Sequence, residues 1–184
     1  EMSTSGTAGD LWFCLGPTAD LDGIARRVVT LVSHAPDDME GRVTVADDVG
    51  RAVERTVRVV AGEHLNVRPG QSVPGATWAA VTVEVPAGQV VVEDTIAGPG
   101  LDGGLDSGPC TTATSASWQV PWATTAEPGN RAVLLAYNPF RAPAVADRRF
   151  IGDLGRRETL DTRGVVVAGR ALAVFDLNEL IPNS

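Results

Sequence analysis

The 184-residue chain contains no lysine, so all fifteen of its basic residues are arginines. Arginine without lysine, beside many Ala, Gly and Val residues, is typical of a GC-rich coding sequence. The net charge is −8, whereas nucleic acids bind basic patches that release counterions from the phosphates. The composition therefore disfavours a nucleic-acid partner, and it disfavours an anionic membrane surface for the same reason.

Long hydrophobic runs are lacking too. The longest apolar stretches are short and valine-rich, such as 90–92 and 164–169, whereas about 20 apolar residues are needed to cross a bilayer. We therefore expect no membrane insertion by this chain. It opens on Glu1 with a polar stretch and no signal peptide, which favours a mature or excised piece of a longer protein.

Residues suited to catalysis or metal binding are few. His34 and His64 are the only histidines, and there is neither a GxSxG elbow nor, without lysine, an SxxK pair. A zinc site needs more His and Cys ligands, and the paired aspartates fall in turns, where Asp bonds its own backbone. We predict no catalytic residues, no metal site and no cofactor, hence a protein that is not an enzyme. Calcium binding by the loop 100–108 stays open.

The two cysteines, Cys14 and Cys110, lie in similar contexts, each with a glycine and a proline nearby and a tryptophan close in sequence. A disulfide between them would close a loop of nearly a hundred residues and stabilise the fold by ~4–5 kcal/mol in the chain-entropy model. Such a bond needs an oxidising compartment, so we expect an extracytoplasmic protein. We interpret the bond as a staple at the boundaries of two units that fixes how they meet.

Most of the chain has a hydrophobic period of two, which is typical of β-strands. The stretch 41–60 alternates valines around a "DDVGR" turn, and 76–98 places two strands around "PAG", which indicates a hairpin. Only 176–181 favours a short helix. Short strands separated by frequent turns predict an antiparallel β-sandwich.

Internal similarity predicts that this architecture is duplicated. Residues 27–36 resemble 131–140, 42–51 resemble 147–156, and 57–67 resemble 164–174, at separations of 104, 105 and 107. We therefore predict an all-β fold of tandem Ig-like antiparallel sandwiches: a first unit over 1–117 and a shorter second unit over 118–184. A Gly/Ser/Thr-rich segment, 98–118, joins them.

The stretches "WFCLGPTAD", "GGLDSGPCTTATSASW", "LLAYNPF" and 153–182 together resemble an actinobacterial domain family of unknown function. That family occurs in secreted or membrane-anchored envelope proteins, and the resemblance covers nearly the whole chain. It implies an extracytoplasmic β-sandwich and no particular reaction. More loosely, the repeated phrases are similar to Ig-like repeats of bacterial surface proteins, which act as spacers and adhesive modules.

Large aromatic side chains are the remaining candidates for ligand or partner contact. Trp12 and Trp118 match in the two repeats, so we expect them to plug equivalent ends of two cores, while the unmatched Trp122 is the better candidate for an exposed contact. We predict a non-catalytic envelope module that contacts another envelope protein or a cell-wall glycan. The alternative is a carbohydrate-binding or carbohydrate-active domain that uses Trp122 with acids of 100–108, among them Asp102 and Asp106. A pure spacer without a ligand is a third possibility.

Overall fold

β-strands form almost all the regular structure of this chain, and every strand pairing is antiparallel. The computed structural model describes residues 10–19, 21–86, 90–99, 104–120, 125, 131–152, 155–157 and 163–182. The chain divides into two compact units, Glu1–Thr114 and Ser115–Ser184. The prediction of an all-β, sandwich-like fold is confirmed; the finer description as Ig-like stays a prediction.

The first unit consists of two four-stranded sheets and one helical turn. Its elements are β1 (Leu11–Pro17), β2 (Arg26–Ser33), β3 (Met39–Asp47), β4 (Ala52–Val59), β5 (His64–Val67), α1 (Pro69–Ser72), β6 (Trp78–Glu84), β7 (Val90–Ala97) and β8 (Leu105–Pro109). One sheet has the order β1-β6-β3-β4 and the other the order β5-β2-β7-β8. Thus β6 and β7, which are consecutive in sequence, are inner strands of different sheets.

The hairpin predicted for 76–98 is therefore wrong, although both of its strands exist. Strand β6 pairs with β1 and β3, while β7 pairs with β2 and β8. The connection 85–89 is long enough to cross the ~10 Å between packed sheets. A short segment that contains Pro and Gly can form either a hairpin turn or a connection between two sheets. The local sequence pattern therefore could not distinguish these two kinds of connection.

Alternating side chains of both sheets form one apolar core. In β2, Val29 and Leu31 are fully buried and the residues between them are only partly buried. Val43 and Val45 of β3 meet them from the other sheet as members of the same cluster. Each such side chain stabilises the fold by about 1.5–3 kcal/mol when removed from water. The period of two thus correctly indicates the buried faces.

The turn between β3 and β4 is organised by the buried carboxylate of Asp47. It accepts hydrogen bonds from the Val49 amide (3.1 Å) and from both the amide (2.7 Å) and the side chain of Arg51. Gly50 completes the turn with φ 86°, a left-handed conformation that favours glycine. The predictions of a turn at "DDVGR" and of aspartate bonding to its own backbone are both confirmed.

The disulfide predicted between Cys14 and Cys110 is present, with the Cα atoms 4.9 Å apart. Cys14 lies within β1 of one sheet, and Cys110 directly follows β8 of the other. Next to the bond, Phe13 and Thr111 exchange two backbone hydrogen bonds of 2.8 and 3.1 Å. The bond therefore joins the two sheets of the first unit.

The interpretation of this bond as a staple between the two units is wrong, because both cysteines belong to the first unit. The segment that precedes Cys110 forms β8 and adds to the sheet next to β7. The Gly/Ser-rich sequence of this segment led to the prediction of a linker. It can nevertheless form a strand, because pairing with β7 uses backbone hydrogen bonds and needs no large side chains.

The described residues of the second unit form three two-stranded ribbons and one helical turn. Its elements are β9 (Val133–Asn138), β10 (Ala144–Ala146), β11 (Phe150–Gly152), β12 (Gly155–Arg157), β13 (Val165–Val167), β14 (Ala171–Asp176) and α2 (Leu177–Leu180). Strand β9 pairs with β14, β10 with β13, and β11 with β12. The short helix predicted near 176–181 is confirmed as α2.

The pairings of the second unit repeat those of β2 to β5. The alignment of the repeats equates β9·β14 with β2·β5, and it equates β10·β13 and β11·β12 with the two ends of the long hairpin β3·β4. Gly155 has φ 95°, close to the value of its counterpart Gly50. The Val73 amide bonds to Pro69 O (3.0 Å) after α1, as the Ile181 amide bonds to Leu177 O (2.9 Å) after α2. The order of the pairings is what a duplication predicts, although the register differs: Leu31 is opposite Leu65, whereas its counterpart Leu135 is opposite Val174.

Among the described residues, no helix is long and apolar enough to cross a membrane.

We expect the disulfide to carry a large share of the stability of the first unit. Replacing Cys14 and Cys110 together by alanine should lower the free energy of unfolding by about 2–5 kcal/mol, because the unfolded chain is no longer cross-linked. Urea unfolding followed by tryptophan fluorescence measures this, with far-UV circular dichroism to show that the strand content is kept. Equal stability of the variant and the parent would contradict the role given to the bond.

The turn at Asp47 should make stability depend on pH. Burial raises the pKa of Asp47, but hydrogen bonds from Arg51 and from the Val49 amide outweigh it, so the pKa is lowered. Because the pKa of Asp47 is lower in the folded state, its ionised carboxylate stabilises the fold at pH values above the ordinary pKa of aspartate. This contribution disappears as the pH falls through the folded-state pKa. Asp47→Asn should therefore destabilise by about 1–3 kcal/mol at pH 7, and the difference from the parent should shrink at pH 3. A difference independent of pH would refute this.

Candidate partner-binding surface

The predicted aromatic site residues have very different environments. Trp12 in β1 is 1% exposed and belongs to the core, whereas Trp118 is 63% exposed and lies outside the strands. The expectation that both plug equivalent cores is therefore wrong for Trp118, because that residue does not follow the strand pattern of its counterpart. Trp122 lies outside the described residues.

The predicted acidic site residues are only partly described. Asp106 is exposed on β8, opposite Ile96 of β7, and Asp102 lies outside the described residues. No group of three or more His, Cys, Asp and Glu side chains within the described ranges is arranged to hold a metal ion. His34 and His64 are both exposed, and they lie at a strand end and a strand start, respectively.

Arg27 and Asp94 form an ion pair inside the first unit that the sequence analysis did not predict. The Arg27 side chain is fully buried and its guanidinium makes a two-pronged ion pair with Asp94, at 3.0 Å from Nε and 2.6 Å from Nη2. Its Nη1 donates to Gly16 O (3.0 Å) and to Ala79 O (2.8 Å). These carbonyls belong to β1 and β6, while Arg27 and Asp94 belong to β2 and β7, so one side chain ties the two sheets together.

Gly16 makes room for this network. A Cβ atom at residue 16 would lie 3.1 Å from the guanidinium carbon of Arg27, a spacing tighter than ordinary packing allows. Because the guanidinium donors already bond to a carboxylate and to two carbonyls, the arrangement is a structural clamp and not a binding site. The sequence does contain one signal for the burial of Arg27. Arg27 lies two and four residues before Val29 and Leu31, so in β2 it lies on the same face as these two core residues.

A second arginine cluster lies in the second unit. Asp147, Arg148, Arg149 and Arg163 line a cavity of about 160 Å³, and the guanidinium of Arg148 lies 3.9 Å from the centre of the Phe175 ring. All three arginines have interaction partners. Because the arginines already have partners, the cluster is a poor candidate for an anion site.

Exposed apolar side chains are the most distinctive surface feature of the second unit. Six of the eleven large hydrophobic residues found exposed among the described residues belong to it, although it comprises only Ser115–Ser184. They are Trp118, Val120, Phe140, Val145, Ile151 and Val166. Apolar side chains that are exposed singly are ordinary, whereas neighbouring ones that form one patch mark an interaction surface.

Val145 and Val166 form the clearest element of this surface. They are directly opposite each other in the β10·β13 ribbon, so their side chains lie on one face. Both are exposed, at 72% and 64%, whereas Val167, on the opposite face, is 5% exposed. Val167 is thus buried within its own unit, while the Val145–Val166 pair faces outward.

The main strands of the second unit are also less covered than their counterparts. In β2 every second residue is buried, whereas in β9 only Asn138 is buried and the apolar residues are all partly exposed. Among the described residues, β9 pairs with β14 alone, while β2 has β5 on one edge and β7 on the other. In the described part of the chain, β9 therefore has fewer neighbouring strands than β2, although the two sequences are similar.

Comparisons with known proteins place few constraints on this surface. No protein-family model matches the chain, and no curated protein matches it. Among solved structures, the chain is similar to the crystal structure of Thermotoga maritima 1070, with 14% identity, a TM-score of 0.48 and coverage of 56% of this chain and 94% of that chain. It is also similar to the Anabaena sensory rhodopsin transducer, with 16% identity, a TM-score of 0.40 and coverage of 50% and 92%.

The interactions of Arg27 with Asp94 and the two carbonyls should contribute far more to the free energy of unfolding than a surface ion pair does. Arg27→Met leaves the Asp94 carboxylate and two buried carbonyls without this donor, so we expect a loss of about 3–5 kcal/mol in the free energy of unfolding. The matched control is Arg42→Met. Arg42 is half exposed and lies 3.6 Å from Glu54 and from Glu84, so its loss should cost less than about 1 kcal/mol.

The double variant Arg27→Met with Asp94→Leu should recover part of this loss, because no buried carboxylate then remains unpaired. Urea denaturation of all four proteins gives the comparison. A cost for Arg27→Met no larger than that for Arg42→Met would show that the clamp does not hold the sheets.

Proposed function

We propose that this protein is a non-catalytic, extracytoplasmic module of the bacterial cell envelope that binds another protein through its second unit. The observation that carries the proposal is the exposed Val145–Val166 pair on the β10·β13 ribbon. An apolar pair on an open strand face gains free energy when a protein partner covers it. A polar glycan offers fewer apolar surfaces to such aliphatic side chains.

The proposed compartment is supported by the disulfide between Cys14 and Cys110. Disulfides of this structural kind persist mainly in oxidising surroundings, such as the outside of the bacterial cytoplasmic membrane. The resemblance of the sequence to actinobacterial envelope domains favours the same location. In this proposal the first unit, clamped by Arg27 and the disulfide, is a rigid carrier for the second.

A second candidate function, the binding of cell-wall glycan, is favoured by one observation. Trp118 is 63% exposed, and the faces of exposed tryptophan rings pack on sugars. In this alternative, Trp118 is the residue that contacts the glycan. The two functions place the binding determinants on different residues, so substitutions can separate them.

We expect the immobilised protein to retain one or more solubilised envelope proteins in a saturable manner. The change Val145→Thr with Val166→Thr keeps the β-branched shape but adds hydroxyl groups, so it should reduce retention by about tenfold, as expected for a loss of roughly 1.4 kcal/mol. The matched control, Val49→Thr, alters a valine that is also 72% exposed, but in a turn of the first unit. It should leave retention unchanged.

The same beads are then incubated with purified cell-wall glycan. Retention of glycan that is lost in Trp118→Ala, with no retained protein, would overturn the protein-binding proposal in favour of the alternative. Protein retention that is unaffected by the two valine substitutions would also contradict it, because the Val145–Val166 pair would not be the binding determinant.

A further inference from the structure

The two units differ strongly in charge. Glu1–Thr114 contains seven arginines and sixteen acidic residues, whereas Ser115–Ser184 contains eight arginines and seven acidic residues. The acidic surplus of the chain therefore belongs to the first unit, and the second has one more basic than acidic residue. Charge acts on a partner through the surface that the partner approaches. The net charge of −8 therefore does not exclude an anionic partner of the second unit.

Two exposed arginines lie at one end of the β10·β13 ribbon. Ala144 and Val167 are opposite each other at this end. Arg141 lies three residues before Ala144, and Arg170 lies three residues after Val167. Within the described ranges, neither arginine side chain forms an ion pair or a hydrogen bond. Both guanidinium groups are therefore available to a ligand.

Buried Asn138 holds this end of the ribbon together. Its side-chain amide donates hydrogen bonds to Ala142 O (2.8 Å) and to Val167 O (3.2 Å). Its Oδ1 accepts a hydrogen bond from the Phe140 amide (3.1 Å), while the Phe140 side chain is 61% exposed. One buried side chain thus fixes the backbone on both sides of Arg141. A backbone that is ordered before binding loses less entropy when a partner arrives.

The turn that carries Arg170 packs directly on Phe140 and Arg141. The Arg170 amide donates to Phe140 O (2.9 Å), and a Cβ atom at residue 169 would overlap the Arg141 carbonyl oxygen. Arg170 has φ 56°, and it is the only non-glycine residue among those described with a left-handed backbone. In the corresponding turn of the first unit, Gly62 takes this conformation with φ 71°. An arginine in this conformation costs free energy, and such strain is concentrated at functional sites.

The corresponding positions of the first unit carry the opposite charge. The repeat alignment equates Arg170 with Glu63, and its extension by one residue equates Arg141 with Asp37. Both acidic residues are exposed, as are the two arginines. The fold of these turns therefore accepts either charge, so the fold itself does not require arginine at residues 141 and 170.

We propose that Phe140, Arg141 and Arg170, together with the Val145–Val166 pair, bind an acidic and partly apolar segment of the partner polypeptide. Each guanidinium donates a forked pair of hydrogen bonds to the carboxylate of one Asp or Glu side chain of that segment. Phe140 and the valine pair cover apolar side chains of the same segment. Arginine and aromatic residues beside apolar ones are the composition typical of the residues that dominate protein interfaces.

This inference rests on the proposed function, because it specifies the chemistry of the protein that the second unit binds. An anionic membrane also attracts arginines, but it is an extended plane that would repel the acidic first unit of the same chain. A segment of a protein contacts the second unit alone. The acidic first unit of a second copy is a further possible occupant, and the experiments below distinguish all three.

Arg170→Asn removes the guanidinium without disturbing the turn, because asparagine tolerates the left-handed conformation better than arginine does. We expect this variant to unfold at the same or a higher temperature than the parent. Its retention of solubilised envelope proteins should nevertheless fall about three- to tenfold, and Arg141→Gln should reduce retention similarly. The control Arg68→Gln removes an exposed arginine of the first unit and should leave retention unchanged.

The absence of lysine from the chain permits a direct test of contact with a carboxylate. A water-soluble carbodiimide joins a carboxylate to a neighbouring amine through an amide bond, and Arg170→Lys provides the only side-chain amine of the chain. This variant is treated with carbodiimide in the presence of solubilised envelope proteins, and the adducts are digested and sequenced by mass spectrometry. We expect an Asp or Glu of an envelope protein, with apolar residues beside it, joined to residue 170. The matched control Arg68→Lys should yield no such adduct.

A lack of adducts, or equal adducts with Arg68→Lys, would overturn the inference. So would coupling of residue 170 to a second copy of the chain, or sedimentation with phosphatidylglycerol vesicles that is lost in Arg141→Gln with Arg170→Asn, because either result identifies another anionic occupant. Retention that depends on Val145 and Val166 but not on the arginines would overturn this inference and leave the proposed function intact. If the parent retains no envelope protein, the proposed function itself fails.

Discussion

Every inner strand of a sheet needs a partner on both edges, because its buried N–H and C=O groups must be hydrogen-bonded. In the first unit β6 and β7 meet this need for both sheets, each as an inner strand. The rest of that unit depends on them: Arg27 can clamp the sheets only because β6 offers the Ala79 carbonyl and β7 offers Asp94. The disulfide adds a covalent link from β1 to the end of β8. The result is a two-sheet sandwich around one apolar core cluster.

The described strands of the second unit correspond to β2 to β5 of the first. Its ribbons reproduce the pairings of β2 to β5, including the left-handed glycine of the tight turn and the bond that closes the helical turn. Without counterparts of β6 and β7 among the described residues, apolar side chains of β9 stay partly exposed, and Val145 and Val166 face outward. The described part of the second unit thus combines fewer strand pairings with exposed apolar side chains, and the proposed binding of a partner uses those side chains.

Much of this could be predicted from sequence, because strand periodicity and turn chemistry are local. The valine alternation indicated β2, β3 and β4, "DDVGR" indicated the turn that Asp47 organises, and matching contexts indicated the disulfide. The errors arose where distant parts of the chain decide the outcome. Whether β6 and β7 form a hairpin or enter different sheets depends on their pairing with β1, β2 and β3. The sequence "PAG" between them is compatible with both arrangements. Burial of Arg27 depends on Asp94, 67 residues away, and exposure of Trp118 depends on missing strand structure around it.

The most direct test of this account is native-state hydrogen exchange of the unaltered chain, resolved by residue. The account predicts that amides at Val29 and Leu31, inside a fully paired strand, exchange only by nearly global opening, while the corresponding strand β9 exchanges by local opening of lower free energy. Equal protection of β2 and β9 in a monomer would contradict it, because β9 would then be covered as completely as β2.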